Sequence, residues 1–279
     1  MEREAALLVI SLALCGALCI LFGALARPLS HFASSGRRAE TLAWRRLWLP
    51  LAPAAFALLL MLGWAVQEPD DTDDGVALVL LVAAVPGAII GSRALARAVT
   101  ATVRRGAPLA ATVGLLHPRI VIDDSLATAL DPEALAAVHA HERAHARHRD
   151  PLRIWFAQLA ADLQWPAPSA RTRFRQWLHA LEVARDEEAR ETGIDGDALA
   201  SAIVTVAQLA KRRVDACASL VGHGEMLRDR IARLLDPVVP ERKRSGLRWT
   251  VTICGVLVVG FVIGAVGGDH LLRHIPGVS

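Results

Sequence analysis

Hydrophobic and polar positions fall into two regimes along the chain. Four runs are apolar for long enough to cross a bilayer, which takes about 20 helical residues. Between the third and the fourth, apolar residues instead recur at helical spacing among charged ones. The first run, Ala5 to Ala26, is uncharged. A signal peptide would have a shorter apolar core, about 7–15 residues, and a more basic start than MERE, so this run is expected to stay as a span. A second span is expected from Leu47 to Val66, with Trp48 and Trp64 near its ends. A third runs from Val76 to Ser92, with a kink expected at Pro86–Gly87, and a fourth from Trp249 to Gly268. Tryptophans at span ends suit the headgroup layer. Gly260, Gly264 and Gly268 form a small-residue stripe suited to close helix–helix packing; chance glycines in an apolar run are the bland alternative.

Residues 93–248 are the stretch able to build a globular domain. PRIVID, Pro118 to Asp123, is rich in β-branched residues between turn formers and predicts a strand, with ATVGLL upstream as its hairpin partner. An added substrate strand could dock on Pro118–Asp123. In DPEALAAVHAHERAHARHRD, Asp131 suits an N-cap and Pro132 the first helical position. Leu135, Val138, Glu142 and His145 then recur on one helical face, and Asp150–Pro151 stops the helix. Leu152 to Trp165 predicts an apolar helix too short to span comfortably and interrupted by Gln158 and Asp162, hence buried or dipping into the interface. After WPAP, a helix is expected from Ala170 to Thr192, stopped by Gly193, with further helices over 196–211 and 224–236. The fold class expected is therefore mainly α: a polytopic membrane protein of about four transmembrane helices, with a soluble domain that contains a short β-hairpin. The units are 1–100 (three spans), 101–245 (the soluble domain), 246–268 (the fourth span) and 269–279 (a short outer tail).

Composition agrees with the spans, since 53% of the chain is hydrophobic. A net charge of +3 is too slight to suggest nucleic acid by itself, and no direct nucleic-acid partner is expected. The arginines cluster at span ends rather than on one recognition helix. Arg27, Arg37, Arg38, Arg45 and Arg46 follow the first span, Arg93, Arg97, Arg104 and Arg105 the third, and Arg242, Lys243, Arg244 and Arg248 precede the fourth. The second loop, QEPDDTDDG, is acidic. The positive-inside rule puts the first loop and 93–248 in the cytoplasm, with both termini outside. Cys15, Cys19, Cys217 and Cys254 have no C-x-x-C spacing and outline no disulfide framework.

The chemistry lies in HAHERAHARHRD, which contains H-E-x-x-H as His141, Glu142 and His145. Side chains four apart on a helix are about 40° apart around its axis, so both imidazoles can bind one Zn²⁺. Such an ion lowers the pKa of its water to about 7. Glu142, adjacent to the first ligand, can take that water's proton and pass it to a departing amine. A solvated, His-rich helix is the rival reading; the start signals and the apolar residues around the motif count against it. A catalytic zinc usually has three protein ligands, and Glu182 in HALEVARDEEAR is the best third. Asp186, one turn on, can bond a ligand imidazole from behind. Glu187, Glu188 and Glu191 are expected to be solvated. His139 and His148 are read as surface or supporting groups. His179 could line the cleft, and His223 could stabilise an oxyanion. Arg228, Arg230 and Arg233 are read as solvated or lipid-facing.

AVHAHERAHARHRDPL, an apolar helix ending in tryptophan, PAP and EVARDEEA together resemble the BlaR/MecR-type membrane metallopeptidases. GLLHPRIVID before them and MLRDRIARLL after them fit as well, so the resemblance covers roughly 85–236. It implies a gluzincin-like zinc endopeptidase domain beside membrane helices of the bacterial plasma membrane, with one Zn²⁺ per chain. His141, His145 and Glu182 match the family's ligands, Glu142 its general base and Asp186 its acidic partner. It also implies a role in signal transduction, with a cytoplasmic transcriptional repressor as the protein substrate. Family members that sense β-lactams carry an outer penicillin-binding domain after the last span; here DHLLRHIPGVS follows, so antibiotic sensing is not expected of this chain. HtpX-type quality-control proteases share H-E-x-x-H and a later E-x-x-x-D and are the alternative. A non-proteolytic transducer, stiffened by zinc, is the reading from another class.

Overall fold

The computed structural model describes residues 15–19, 21–23, 26, 35–67, 74–103, 109–165, 167–214 and 224–236. Helices α1 (Gly36–Trp48), α2 (Ala52–Gln67) and α3 (Asp74–Val103) precede a hairpin of β1 (Ala110–Val113) and β2 (Arg119–Ile122). Then come α4 (Asp124–Ala129), α5 (Pro132–Arg147), α6 (Asp150–Leu163), α7 (Pro168–Glu191), α8 (Gly196–Val214) and α9 (Gly224–Leu235). The described chain is thus mainly helical with one short antiparallel hairpin, in which Ala111 faces Val121 and Thr112 faces Ile120.

Local chemistry explains the boundaries around the site. Asp131 caps α5 by accepting from the Ala134 N–H at 2.7 Å, with Pro132 in the first turn, where its missing N–H costs nothing. Arg149 takes a left-handed conformation, φ 52°, which breaks α5 from α6. Asp150 thereby opens α6, where a carboxylate suits the positive helix end. Gly114 supplies the φ of 98° at the end of β1, where a Cβ would lie 2.6 Å from the His117 carbonyl oxygen.

Three clusters hold the domain together. Ala39, Ala43 and Leu47 of α1 pack with Ala157 and Ala160 of α6 and with Trp177, Ala180 and Leu181 of α7. Ala137 of α5 and Ala189 of α7 meet Leu199 and Ala200 of α8 and Leu234 of α9. Ala134 and Val138 of α5 and Ala202 of α8 seat the hairpin through Ala110 and Ile122. The alanines let helix backbones approach closely where α5, α7, α8 and α9 meet.

The second apolar run divides at Pro50. Leu47 closes α1 and is fully buried against α6 and α7, Leu49–Leu51 form a 3₁₀ turn, and α2 is a separate helix of 16 residues. Pro50 has no N–H to donate back into α1, and the chain tightens to a 3₁₀ turn there while Leu49 and Ala52 keep right-handed helical angles. The third run lies within α3, 30 residues long, which continues through Pro86. Among the described residues, no helix is both long and apolar enough to cross a membrane. The first run falls mostly outside the described residues, and the fourth run, the Gly260/Gly264/Gly268 stripe and His223 fall wholly outside them.

Candidate metal centre

Two successive turns of α5 present His141 and His145 to one point, and α7 brings Glu182 to the same point. The Nε2 atoms of the two imidazoles are 3.0 Å apart. Glu182 Oε2 lies 3.5 Å from His141 Nε2, and Oε1 lies 3.6 Å from His145 Nε2. Tetrahedral bonds of about 2.0–2.1 Å to one zinc would separate the ligand atoms by about 3.3–3.4 Å. The donor set therefore has the spacing and the N, N, O chemistry of a site that could hold a metal ion.

The opposite side of each ring supports the same use. His145 Nδ1 is 2.8 Å from Asp150 Oδ2, and His141 Nδ1 is 2.9 Å from Asp186 Oδ1. The Asp186 contact falls short of a well-aligned hydrogen bond, so it acts mainly as an ion-pair contact. A carboxylate behind Nδ1 fixes the proton there and leaves the Nε2 lone pair facing inward. The two Nε2 atoms, 3.0 Å apart, can share one proton between them or face one cation together with the carboxylate.

Each supporting aspartate is held by arginine. Asp150, fully buried, takes Arg185 Nε at 2.5 Å and Nη2 at 3.0 Å, and Arg153 Nη1 at 2.9 Å. Asp186 takes Arg230 Nε at 2.7 Å and Nη2 at 2.8 Å, while Arg230 Nη1 reaches Glu182 Oε2 at 3.0 Å. This bidentate geometry fixes carboxylate orientation as well as charge. Burial works against the His141 cation, but Asp186 and Glu182 overcome it and push its pKa up to about 10. Burial alone would raise the Glu182 carboxyl; Arg230 and the two histidines hold it well below the usual carboxylate range instead. A field that keeps a proton on a buried imidazole at neutral pH also attracts a divalent cation.

Glu142 is buried beside His141, and its carboxylate accepts from Thr112 Oγ1 at 2.9 Å. The same hydroxyl lies 2.9 Å from the Glu142 carbonyl oxygen, so one proton serves both acceptors. The site opens into a cleft of about 380 Å³ lined on one side by Ala110, Ala111 and Thr112 and on the other by apolar residues of α8 such as Leu199, Ile203 and Val206.

The strand that borders this cleft is β1, whereas the sequence suggested Pro118–Asp123 as the docking strand. The Asp123 N–H bonds the Leu109 carbonyl, so the register turns the peptide groups of Ala110 and Thr112 away from β2. Arg230 is neither solvated nor lipid-facing, because its three acidic contacts bury it at the site. Glu188 is not solvated: only 5% of it is exposed, and it pairs with Arg147, His148 and Arg185. Glu187 is half-buried and accepts the Gly36 N–H, and exposed Glu191 pairs with Arg37. His139 is exposed, and His179 meets Asp229 at 2.8 Å, away from the cleft lining.

Asp150 and Thr112 contact the candidate site although the sequence did not single them out for it, and Arg230 contacts it although the sequence read it as solvated or lipid-facing. Asp150 was legible only as a helix stop, although an aspartate just past the second histidine is also placed to reach back to it. Arg230 and Thr112 come from segments distant in the chain, and although MLRDRIARLL fits the family resemblance, nothing local ties either residue to the site.

The family model described as BlaR1 peptidase M56 matches residues 89–234. No curated protein and no solved structure matches the chain.

Proposed function

The chain belongs to the BlaR1 peptidase M56 family, which makes it a metallopeptidase, and we propose that it is an integral-membrane zinc endopeptidase that cleaves a protein substrate on the cytoplasmic side, in signal transduction of the repressor-inactivating kind. One observation carries the catalytic part: two imidazoles and a carboxylate converge on one point, and an arginine-held aspartate backs each imidazole.

His141, His145 and Glu182 would hold the zinc. When bound, the ion supplies Lewis acidity to a water and to the scissile carbonyl. Glu142 is the general base: it accepts the water's proton and delivers it to the leaving amine. Thr112 restrains one oxygen of that carboxylate. The peptide groups of Ala110 and Thr112 bind an extended substrate as an added strand, and the apolar wall of α8 receives a hydrophobic side chain beside the cleaved bond. Asp150 and Asp186 orient the imidazoles.

Membrane integration rests on the four apolar runs and the arginine-rich loops. The exposed side chains Leu81, Val82, Val85 and Ile89 of α3 support it, since a soluble protein rarely leaves such a patch to water. The Trp155 indole bonds the Ala94 carbonyl and Arg97 pairs with Asp162, tying α6 to α3.

Purified full-length protein bearing Glu142→Gln tests the proposal. The variant should bind zinc as the wild type does and lose at least about 100-fold in peptide cleavage, the low end for a lost general base. Comparing cytoplasmic protein fragments between cells with wild-type and variant protein then identifies the substrate. Signalling that survives Glu142→Gln would favour the non-proteolytic transducer.

A further inference from the structure

Helix α1 lies outside the residues matched by the family model, in a segment the sequence assigns to the membrane region, yet it reaches the metal centre. Its backbone docks directly on α7. A Cβ at Gly36 would lie 2.7 Å from the Ala184 nitrogen, and the Gly36 N–H donates to Glu187 Oε1 at 2.6 Å. This close approach carries Glu40, 7% exposed, to the back of the site.

Glu40 Oε1 meets Arg153 Nη2 at 2.5 Å and Arg185 Nη2 at 3.5 Å. These are the two guanidiniums that grip Asp150, which in turn faces His145 Nδ1. Arg153 is clamped further by the rings of Trp44 and Trp177, 5.5 and 5.8 Å from its guanidinium carbon. Two acids thus share two buried or half-buried cations. Without the Glu40 charge, both guanidiniums would turn their full attraction on Asp150, with Glu188 as the remaining acid on Arg185 at 3.6 Å. Asp150 would be drawn off the imidazole and its negative charge further neutralised, so His145 would become a weaker and less precisely aimed ligand.

We propose that Glu40 is a positioning residue of the metal centre, bracing through Arg153 and Arg185 the aspartate that aims His145. This rests on the reading that His141, His145 and Glu182 hold the zinc. The bland alternative is an ion pair that only docks α1 on the domain, and metal affinity separates the two.

Full-length wild type, Glu40→Gln and Leu47→Ala are purified and stripped of metal, and their Zn²⁺ affinities are measured by competition with a chromogenic chelator. The visible spectrum of each Co²⁺-loaded protein is recorded in parallel. Leu47→Ala opens a cavity in the core near the end of α1, about two turns from Glu40, and leaves the Gly36 contact and the Glu40 ion pairs that seat the start of the helix in place. Glu40→Gln should weaken zinc binding about 3–10-fold, less than the roughly 10–100-fold typical of a ligand's direct partner, and alter the Co²⁺ bands. Leu47→Ala should lower the melting temperature and leave zinc affinity unchanged. If Glu40→Gln does not fold, Glu40→Asp, which keeps the charge but withdraws it by one methylene, should show the same weakening. Unchanged affinity and spectrum in the glutamate variant that folds would overturn the proposal, as would equal weakening in Leu47→Ala. A wild type that takes up no zinc would overturn the metal reading itself, and this inference with it.

Discussion

Asp150→Asn removes one charge while keeping size and shape, at a position with no solvent exposure. Two consequences can be estimated separately. The first concerns the metal: the partner behind a ligand imidazole typically contributes about 10–100-fold in affinity, or roughly 1.4–2.7 kcal/mol. The second concerns the fold. Arg185, 2% exposed, loses the acid that holds its Nε and Nη2, and breaking a buried pair on one side typically costs about 3–5 kcal/mol. Glu40 and Glu188 remain 3.5 and 3.6 Å from Arg185, which offsets part of that loss and puts the expectation at the low end. The assay is thermal unfolding of metal-free and zinc-saturated protein, paired with zinc competition on the folded variant. The variant should be less stable without metal. It should also gain less from a fixed zinc concentration, because stabilisation by a ligand follows RT ln(1 + [L]/Kd). If Asp150→Asn folds and binds zinc as tightly as wild type, the aspartate does not orient His145, and the argument from paired carboxylates fails.

Thr112→Val deletes the hydroxyl on Glu142 without changing side-chain volume; cleavage should slow by about 2–12-fold, the worth of one hydrogen bond of 0.5–1.5 kcal/mol, while zinc affinity stays unchanged, and an unaltered rate would remove Thr112 from the account. Burial works against the Glu188 charge, but His148, Arg147 and Arg185 outweigh it and lower its pKa. A lowered carboxylate pKa contributes stability that is present above the unfolded value of about 4 and is lost as pH falls through the folded one. Glu188→Gln should therefore cost about 1–3 kcal/mol in chemical denaturation at pH 7, with the gap to wild type closing below about pH 4; a gap independent of pH would contradict this reading.

The local grammar of the domain was legible in the chain. Asp131 and Pro132 announced the start of α5, the i, i+4 histidines announced its chemistry, and Gly193 marked the end of α7. Glu182 and Asp186 stood out because they share a face one turn apart. What stayed hidden was long-range pairing. Glu188 and Arg230 look like ordinary surface charges in sequence, and only packing of α7 against α1, α5 and α9 decides that they are buried with partners. The break at Pro50 shows the same limit: hydropathy marks Leu47 as span, but tertiary packing buries it in the domain core. Thr112 lay inside the stretch correctly expected to pair as a hairpin, and nothing local links it to a glutamate in α5.

The proposed function requires one divalent ion between α5 and α7. Metal analysis of the purified full-length protein, zinc-loaded and then dialysed, tests it most directly, alongside Glu182→Gln and His145→Ala. About one zinc per wild-type chain is expected, consistent with a three-ligand site, and substoichiometric zinc in both variants while their helical content persists. Wild-type protein without zinc, or a Glu182→Gln protein that keeps it at wild-type affinity, would rule out a zinc site built from His141, His145 and Glu182.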